Sequence, residues 1–138
     1  MQSVLKISEA ASIALHAMTY VALHNDKPVS NKDIANNFGI SINHLSKVLQ
    51  RLVKANLLKS TKGPSGGFEM TKKCKDITFL DIYEAIDGEV GTSSCLFGKN
   101  LCPCKTCIMG DFLNKTNKRV REFFGNKKLS DFCNQKRI

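Results

Sequence analysis

Between Ser30 and Thr71 the chain follows a pattern that few folds accommodate: two short capped helical segments hinged on a glycine, then a hairpin with a glycine-rich tip. Ser30 and Asp33 stand in an S-x-x-D capping arrangement, Ile34, Ala35 and Phe38 supply an apolar face, and Gly39 supplies the turn. Ser41 then caps a segment in which Leu45, Val48, Leu49, Leu52 and Val53 recur at helical spacing. Two helices so joined fit a helix-turn-helix and a plain helical hairpin about equally well. The residues after the second helix tip the balance. Leu57-Leu58-Lys59-Ser60-Thr61 reads as a strand, Lys62-Gly63-Pro64-Ser65-Gly66-Gly67 as a turn, and Phe68-Glu69-Met70-Thr71 as a returning strand. A hairpin directly behind the second helix predicts a winged helix-turn-helix.

The remaining segments are helical. Ala10, Ala11, Ala14, Leu15, Met18 and Ala22 predict a helix from Ser8 to about Leu23, ended by Asn25-Asp26-Lys27-Pro28. Thr78 and Asp81 cap a short helix carrying Leu80, Tyr83 and Ile86. A last long helix is expected from about Ile108 to Phe124, with a stripe of Ile108, Phe112, Thr116, Val120 and Phe123/Phe124. Such a stripe on a terminal helix calls for a covering surface, either a second copy of the chain or the rest of the same subunit. The expected fold is mainly α: a winged helix-turn-helix with a small two-stranded wing and a long C-terminal dimerisation helix. Residues 1–90 would form the DNA-binding unit with its N-terminal helix, and residues 91–138 the cysteine-rich loop and dimer helix.

Charge points to a polyanionic partner. The net charge is +9. Its distribution is uneven: Lys47 to Lys75 holds eight basic residues and one acid, Glu69, whereas Asp76 to Cys95 holds five acids and no base. Basic patches bind nucleic acid by releasing counterions condensed on phosphate. A solvated basic surface without a ligand is the plainer alternative. On a helix-turn-helix, Ser41, Asn43, His44 and Lys47 lie toward the N-terminal end of the second helix, where side chains reach base edges; Asn pairs with adenine, and Lys47 and Arg51 suit phosphate or guanine. In the turn, Lys62 would neutralise phosphate, and Gly63, Ser65, Gly66 and Gly67 would let backbone approach the duplex.

Four cysteines, Cys95, Cys102, Cys104 and Cys107, read C-x6-C-x-C-x2-C. No apolar stretch reaches the length of a membrane span, and the first residues lack the apolar core of a signal peptide. A cytoplasmic location is therefore expected, where thiols stay reduced and so dense a group favours a metal over disulfides. Thiolates suit iron of a cluster or tetrahedral zinc, and spacing alone does not choose between them. Bare redox thiols are a third option. Cys74 and Cys133 lie apart, Cys74 after the wing as a small packed or exposed residue and Cys133 near the C-terminus, and neither reads as a ligand. Nothing supports catalysis: no nucleophile–base pair and no phosphate-binding glycine motif stands at recognisable spacing. No membrane partner and no small-molecule substrate are expected.

Several segments together resemble the bacterial Rrf-two-type winged-helix regulators. They are Lys6-Ile7-Ser8, Val29-Ser30-Asn31-Lys32-Asp33-Ile34-Ala35, Lys62-Gly63-Pro64-Ser65-Gly66-Gly67-Phe68, Ile82-Tyr83-Glu84-Ala85-Ile86-Asp87-Gly88 and Cys95-Leu96-Phe97-Gly98-Lys99. The resemblance spans nearly the whole chain. It implies a homodimer that binds a double-stranded operator and, in cluster-binding members, an iron–sulfur cluster ([2Fe-2S] or [4Fe-4S]) held by three cysteines. Cys95, Cys102 and Cys107 match those positions. The chain departs from the pattern in a shorter second gap, in the extra thiol of Cys104, and in Gly110 where some members carry a histidine. Ser46 stands where some members carry a glutamate tied to operator choice. In some relatives a residue of the first helix reaches the partner's cluster; His16 matches such a position, with Ser12 and Glu9 as weaker candidates, and an interface or solvent-facing histidine as the plainer reading. The implied function is a transcriptional regulator controlled by its cluster. A cluster-free thiol sensor and a zinc-stabilised interaction module are the alternatives.

Overall fold

The computed structural model describes residues 5–91, 95–97 and 105–133. Its elements, in chain order, are α1 (Glu9–Leu23), α2 (Asn31–Phe38), α3 (Ile42–Lys54), β1 (Leu58–Thr61), β2 (Gly67–Met70), a 3-10 turn (Cys74–Asp76), α4 (Phe79–Asp87), α5 (Phe112–Asn126) and α6 (Ser130–Cys133). The two strands pair antiparallel into a single small sheet among the described residues. This is the winged, mainly helical fold that the sequence predicts.

Local chemistry sets the helix starts. The hydroxyls of Ser8, Ser30, Ser41 and Thr78 accept hydrogen bonds from the backbone N–H three residues on, satisfying donors that the first helical turn leaves unpaired. Only Thr78 completes the reciprocal box, its own N–H donating to Asp81 at 3.0 Å. Gly39 ends α2 in the left-handed conformation, at φ 65°.

The core gathers around α1. Ala11, Ala14, Ala17 and Met18 are fully buried, and the small side chains let neighbouring helices pack closely on this one. From α3 come Leu45, Val48, Leu49 and Leu52, all buried; Val53 is half-buried. Leu58, Ile77 and Ile82 add the next layer. Leu49→Ala should cost about 2–5 kcal/mol of stability, the range for a fully enclosed leucine. Urea unfolding is the measurement, with a midpoint like that of the parent protein as the contrary result.

The C-terminal segment returns to this core. Leu129 N–H donates to Ile77 O at 3.0 Å and Phe79 N–H to Lys127 O at 2.8 Å, which carries Leu129 into full burial. The last long helix begins later than its apolar pattern predicts. Gly110 adopts φ 55° and donates to Cys107 O at 3.0 Å, so Ile108 belongs to a turn and the helix starts at Phe112. It also runs past Phe124 to Asn126. Of its apolar stripe only Phe124 is enclosed; Ile108, Phe112 and Phe123 are 78%, 61% and 56% exposed.

Candidate nucleic-acid interface and cysteine segment

The buried face of α3 leaves the opposite face to solvent. Asn43, Lys47, Gln50 and Lys54 are exposed at spacings of four, three and four, forming a single stripe. Ser41 and Arg51 are exposed beside it, while His44 and Ser46 are half-buried. Gln50 and Lys54 extend the face predicted from sequence; their signal was the helical period counted onward from Lys47. Ser41 serves as the cap, accepting from His44 N–H at 3.4 Å. Ser46 accepts from the side-chain amide of Asn31 at 3.1 Å, which fastens α2 to α3.

Arg51 has a structural engagement that the sequence did not reveal. Its guanidinium donates to the carbonyl of Ile86 near the end of α4, where helix carbonyls lack partners of their own. Several of its five donors remain for other contacts.

The wing is held by three features. Lys59 and Glu69 are opposite each other in the hairpin register and form an ion pair at 3.3 Å. That pair neutralises the only acid of the basic block. Val29 exchanges two backbone hydrogen bonds with Phe68, at 3.0 and 2.7 Å, fastening the wing to the strand-like residue before α2. The tip closes through Gly66 N–H to Gly63 O at 3.0 Å, with Gly63 at φ 102°. Gly66 and Gly67 are required mainly by close approach. A Cβ on Gly66 would lie 2.1 Å from the Thr61 carbonyl oxygen, and one on Gly67 2.4 Å from that of Val29. Lys62, Gly63, Pro64 and Ser65 are exposed.

The cysteine segment is anchored at both ends on α5. Arg121 of α5 donates from Nε to Val90 O at 3.2 Å, and Gly91 sits so close to Asn117 that a Cβ would come within 2.9 Å of its side chain. At the other end the turn from Cys107 to Asp111 leads directly into α5. Cys95 is half-buried and Cys107 exposed. Cys102 and Cys104 lie outside the described residues. Among the described residues no three His, Cys, Asp or Glu side chains converge as a metal cage. Leu96 and Phe97 beside Cys95 are exposed, as are Ile108 and Phe112 beside Cys107.

His16 is exposed on α1, away from the helix's buried face. Its Nδ1 lies 2.6 Å from the Ser12 carbonyl oxygen. A carbonyl only accepts, so Nδ1 is the donor in this contact. His16 also lines an apolar groove of about 450 Å³ with Leu15, Tyr20, Phe38, Phe123 and Phe124. Glu9 is exposed and Ser12 half-buried on the same helix. Cys74 and Cys133 are half-buried.

Comparison with known proteins agrees with this arrangement. The pattern of the Rrf2 family, described as an iron-dependent transcriptional regulator, matches residues 7–135. The HTH-type transcriptional regulator IscR of Vibrio vulnificus is 29% identical over 97% of this chain and 80% of its own. The structure of CymR (YrzC), the global cysteine regulator of B. subtilis, superposes with a TM-score of 0.80 at 26% identity, covering 94% of this chain and 96% of that one. The T. potens IscR structure gives 0.74 at 26% identity, covering 93% and 85%. No described helix is long and apolar enough to cross a membrane. With its fold and nearly its whole length in common with these regulators, the chain belongs to the Rrf2 family of DNA-binding transcriptional regulators and is not an enzyme.

Proposed function

We propose that this regulator is a cytoplasmic homodimer that reads a two-fold operator, one half-site per α3 and wing, and that Cys95, Cys102 and Cys107 hold an iron–sulfur cluster governing its affinity. The observation that carries the reading is the pair of anchors that fix both ends of the cysteine segment to α5. A change within the segment is thereby transmitted to the helix whose apolar residues await a covering surface.

The donors suit the cofactor. Thiolates are soft ligands for iron, and Cys107 is exposed while Cys95 is only half-buried, so neither is locked into the core. When bound, the cluster supplies a redox- and iron-sensitive charge within the segment. The protein's part is to hold the two ends of the segment, through Arg121 at Val90 and the Gly110 turn, and to present a fourth donor. Cys104 or the Nε2 of His16 from the other subunit can take that role. Exposed Leu96, Phe97, Ile108 and Phe112 around the segment support a second copy covering this face.

A second reading, regulation through thiols without a cluster, draws support from the exposure of Cys107 and from the likeness to CymR. Anaerobic purification with absorption spectra and iron, sulfide and zinc assays separates the two. An iron- and sulfide-containing chromophore supports the cluster, and a colourless iron-free protein that still selects its operator supports the thiol reading.

On the DNA side, Lys47→Ala should weaken operator binding. If the lost contact is to phosphate, the slope of log affinity against log salt should fall by about 0.9. Fluorescence anisotropy across a salt series checks this, and an unchanged affinity and slope would remove Lys47 from the interface. Arg51→Ala makes a less clean test because it also severs the bond to Ile86.

A further inference from the structure

Two arginines from different helices grip the short link that leaves α4. Arg51 of α3 donates through its guanidinium to the Ile86 carbonyl, in the last turn of α4. Arg121 of α5 donates to the Val90 carbonyl from Nε at 3.2 Å and from its terminal nitrogen at 2.5 Å. Between these carbonyls α4 ends at Gly88, whose N–H donates to Glu84 O at 3.0 Å and whose φ of 77° turns the chain out of the helix. The Ser8 hydroxyl adds a bond to the Asp87 carboxylate at 2.8 Å. Cys95 follows Gly91 by four positions.

An arginine on a helix-end carbonyl can be a plain cap. The placement here says more. Ile86 itself is buried, so its end of the link is fixed to the core, whereas Val90 and Gly91 are held from α5. Arg51 stands beside the exposed stripe of α3, so the helix presented to DNA bonds directly to the first residues of the link. The last residues of the link enter the cysteine segment. Residues 86–91 are thus a bonded path from α3 to the segment, with one planar, multiply donating guanidinium at each end.

We propose that Arg51 and Arg121 are positioning residues that couple α3 to the cysteine segment through residues 86–91. A shift of the segment moves the Val90 end, and the Ile86 carbonyl carries the shift to Arg51 and the pitch of α3. Coupling is reciprocal, so seating α3 on an operator alters the segment in turn. The proposal rests on the reading that the segment governs DNA binding, but not on a cluster within it.

The test uses the full chain, reduced, iron-free and anaerobic, with a duplex that the protein itself has selected from random DNA. Cys95 labelling is read by peptide mass with that duplex, with a scrambled duplex, and with none. Each protein is studied at a duplex concentration that anisotropy shows to saturate it, which removes differences in affinity. Expected is that the selected duplex alone changes the Cys95 rate by about fivefold or more, the lower end of the usual coupling between sites. Arg51→Ala and Arg121→Ala should each abolish that change, and the double variant should add nothing, as two members of one path require. Asn31→Ala, which loosens α3 from α2 at Ser46, should keep it. Circular dichroism establishes folding, and Arg121→Ala alone decides if Arg51→Ala does not bind. The proposal is overturned if the parent chain labels alike with and without its operator, if either arginine variant responds as the parent does, or if Asn31→Ala loses the response as well. The cluster reading fails separately: a parent protein that purifies without iron yet shows the response keeps the coupling and loses the cluster.

Discussion

Gly66→Val lowers specific operator affinity at least about a hundredfold, a large part of the usual gap between specific and non-specific binding. The cause is steric. The valine Cβ would sit 2.1 Å from the Thr61 carbonyl oxygen and 2.8 Å from the Lys62 carbonyl carbon, both backbone atoms that cannot yield without opening the turn. The Gly66–Gly63 hydrogen bond is then lost, and Lys62 and Ser65 are no longer presented on a closed tip. The helical core does not depend on this turn, so the helical circular dichroism is retained and the melting temperature falls by only a few degrees. Ser65→Ala, at an exposed position of the same tip, should leave the fold untouched and change affinity far less. Electrophoretic mobility shift with operator and scrambled DNA gives the comparison. A Gly66→Val protein that binds its operator normally places this loop away from DNA.

The second large effect is on iron. Replacing Cys95, Cys102 or Cys107 by serine should remove most bound iron or make it labile to air, because the hard hydroxyl is a poor substitute for a soft thiolate. Iron and sulfide per chain, measured after anaerobic purification, report this. Full iron retention in any one of the three variants would sink the three-cysteine assignment. Cys104→Ser and His16→Ala then identify the fourth donor. If Cys104 is the ligand, His16→Ala leaves the absorption spectrum unchanged. If His16 of the other subunit is the ligand, its loss shifts the spectrum and removes the pH dependence that a nitrogen donor confers on the reduction potential.

Features encoded locally were legible from sequence. The hydroxyl caps at Ser30, Ser41 and Thr78 precede helical apolar periods, and all three cap as expected, whereas Ser8, read as the first helical residue, is the cap of α1. The wing was legible because glycines concentrate where the backbone turns, although Gly66 is demanded by the nearness of Thr61 O rather than by an unusual φ. The start of α5 was misjudged because Ile108 and Phe112 keep a helical spacing across Gly110, whose left-handed conformation interrupts the helix. The turn at Cys74–Asp76 and the four-residue α6 are too short to show a period. Contacts between distant residues left no trace in any window of sequence. They include the bond from Arg51 to Ile86 and the bridges of Val29 to Phe68 and Thr78 to Lys128. At the candidate interface, the exposed α3 residues followed from helical geometry alone. The ion pair that removes Glu69 from the basic surface needed the hairpin register.

The proposed control of DNA binding by the cysteine segment is tested most directly by one thermodynamic cycle. Operator affinity is measured anaerobically for the iron-loaded dimer and for the same preparation after chelation of its iron, at a single fixed salt concentration. Sedimentation establishes the oligomeric state of both forms. Linkage requires the operator to change iron affinity by the same factor as iron changes operator affinity. Expected is a dimer in both forms with affinities differing by roughly 5–150-fold, the usual span of coupling between two sites. Equal affinities for a defined operator in the loaded and stripped forms would contradict control through the cluster and leave a regulator that answers, if at all, through its thiols.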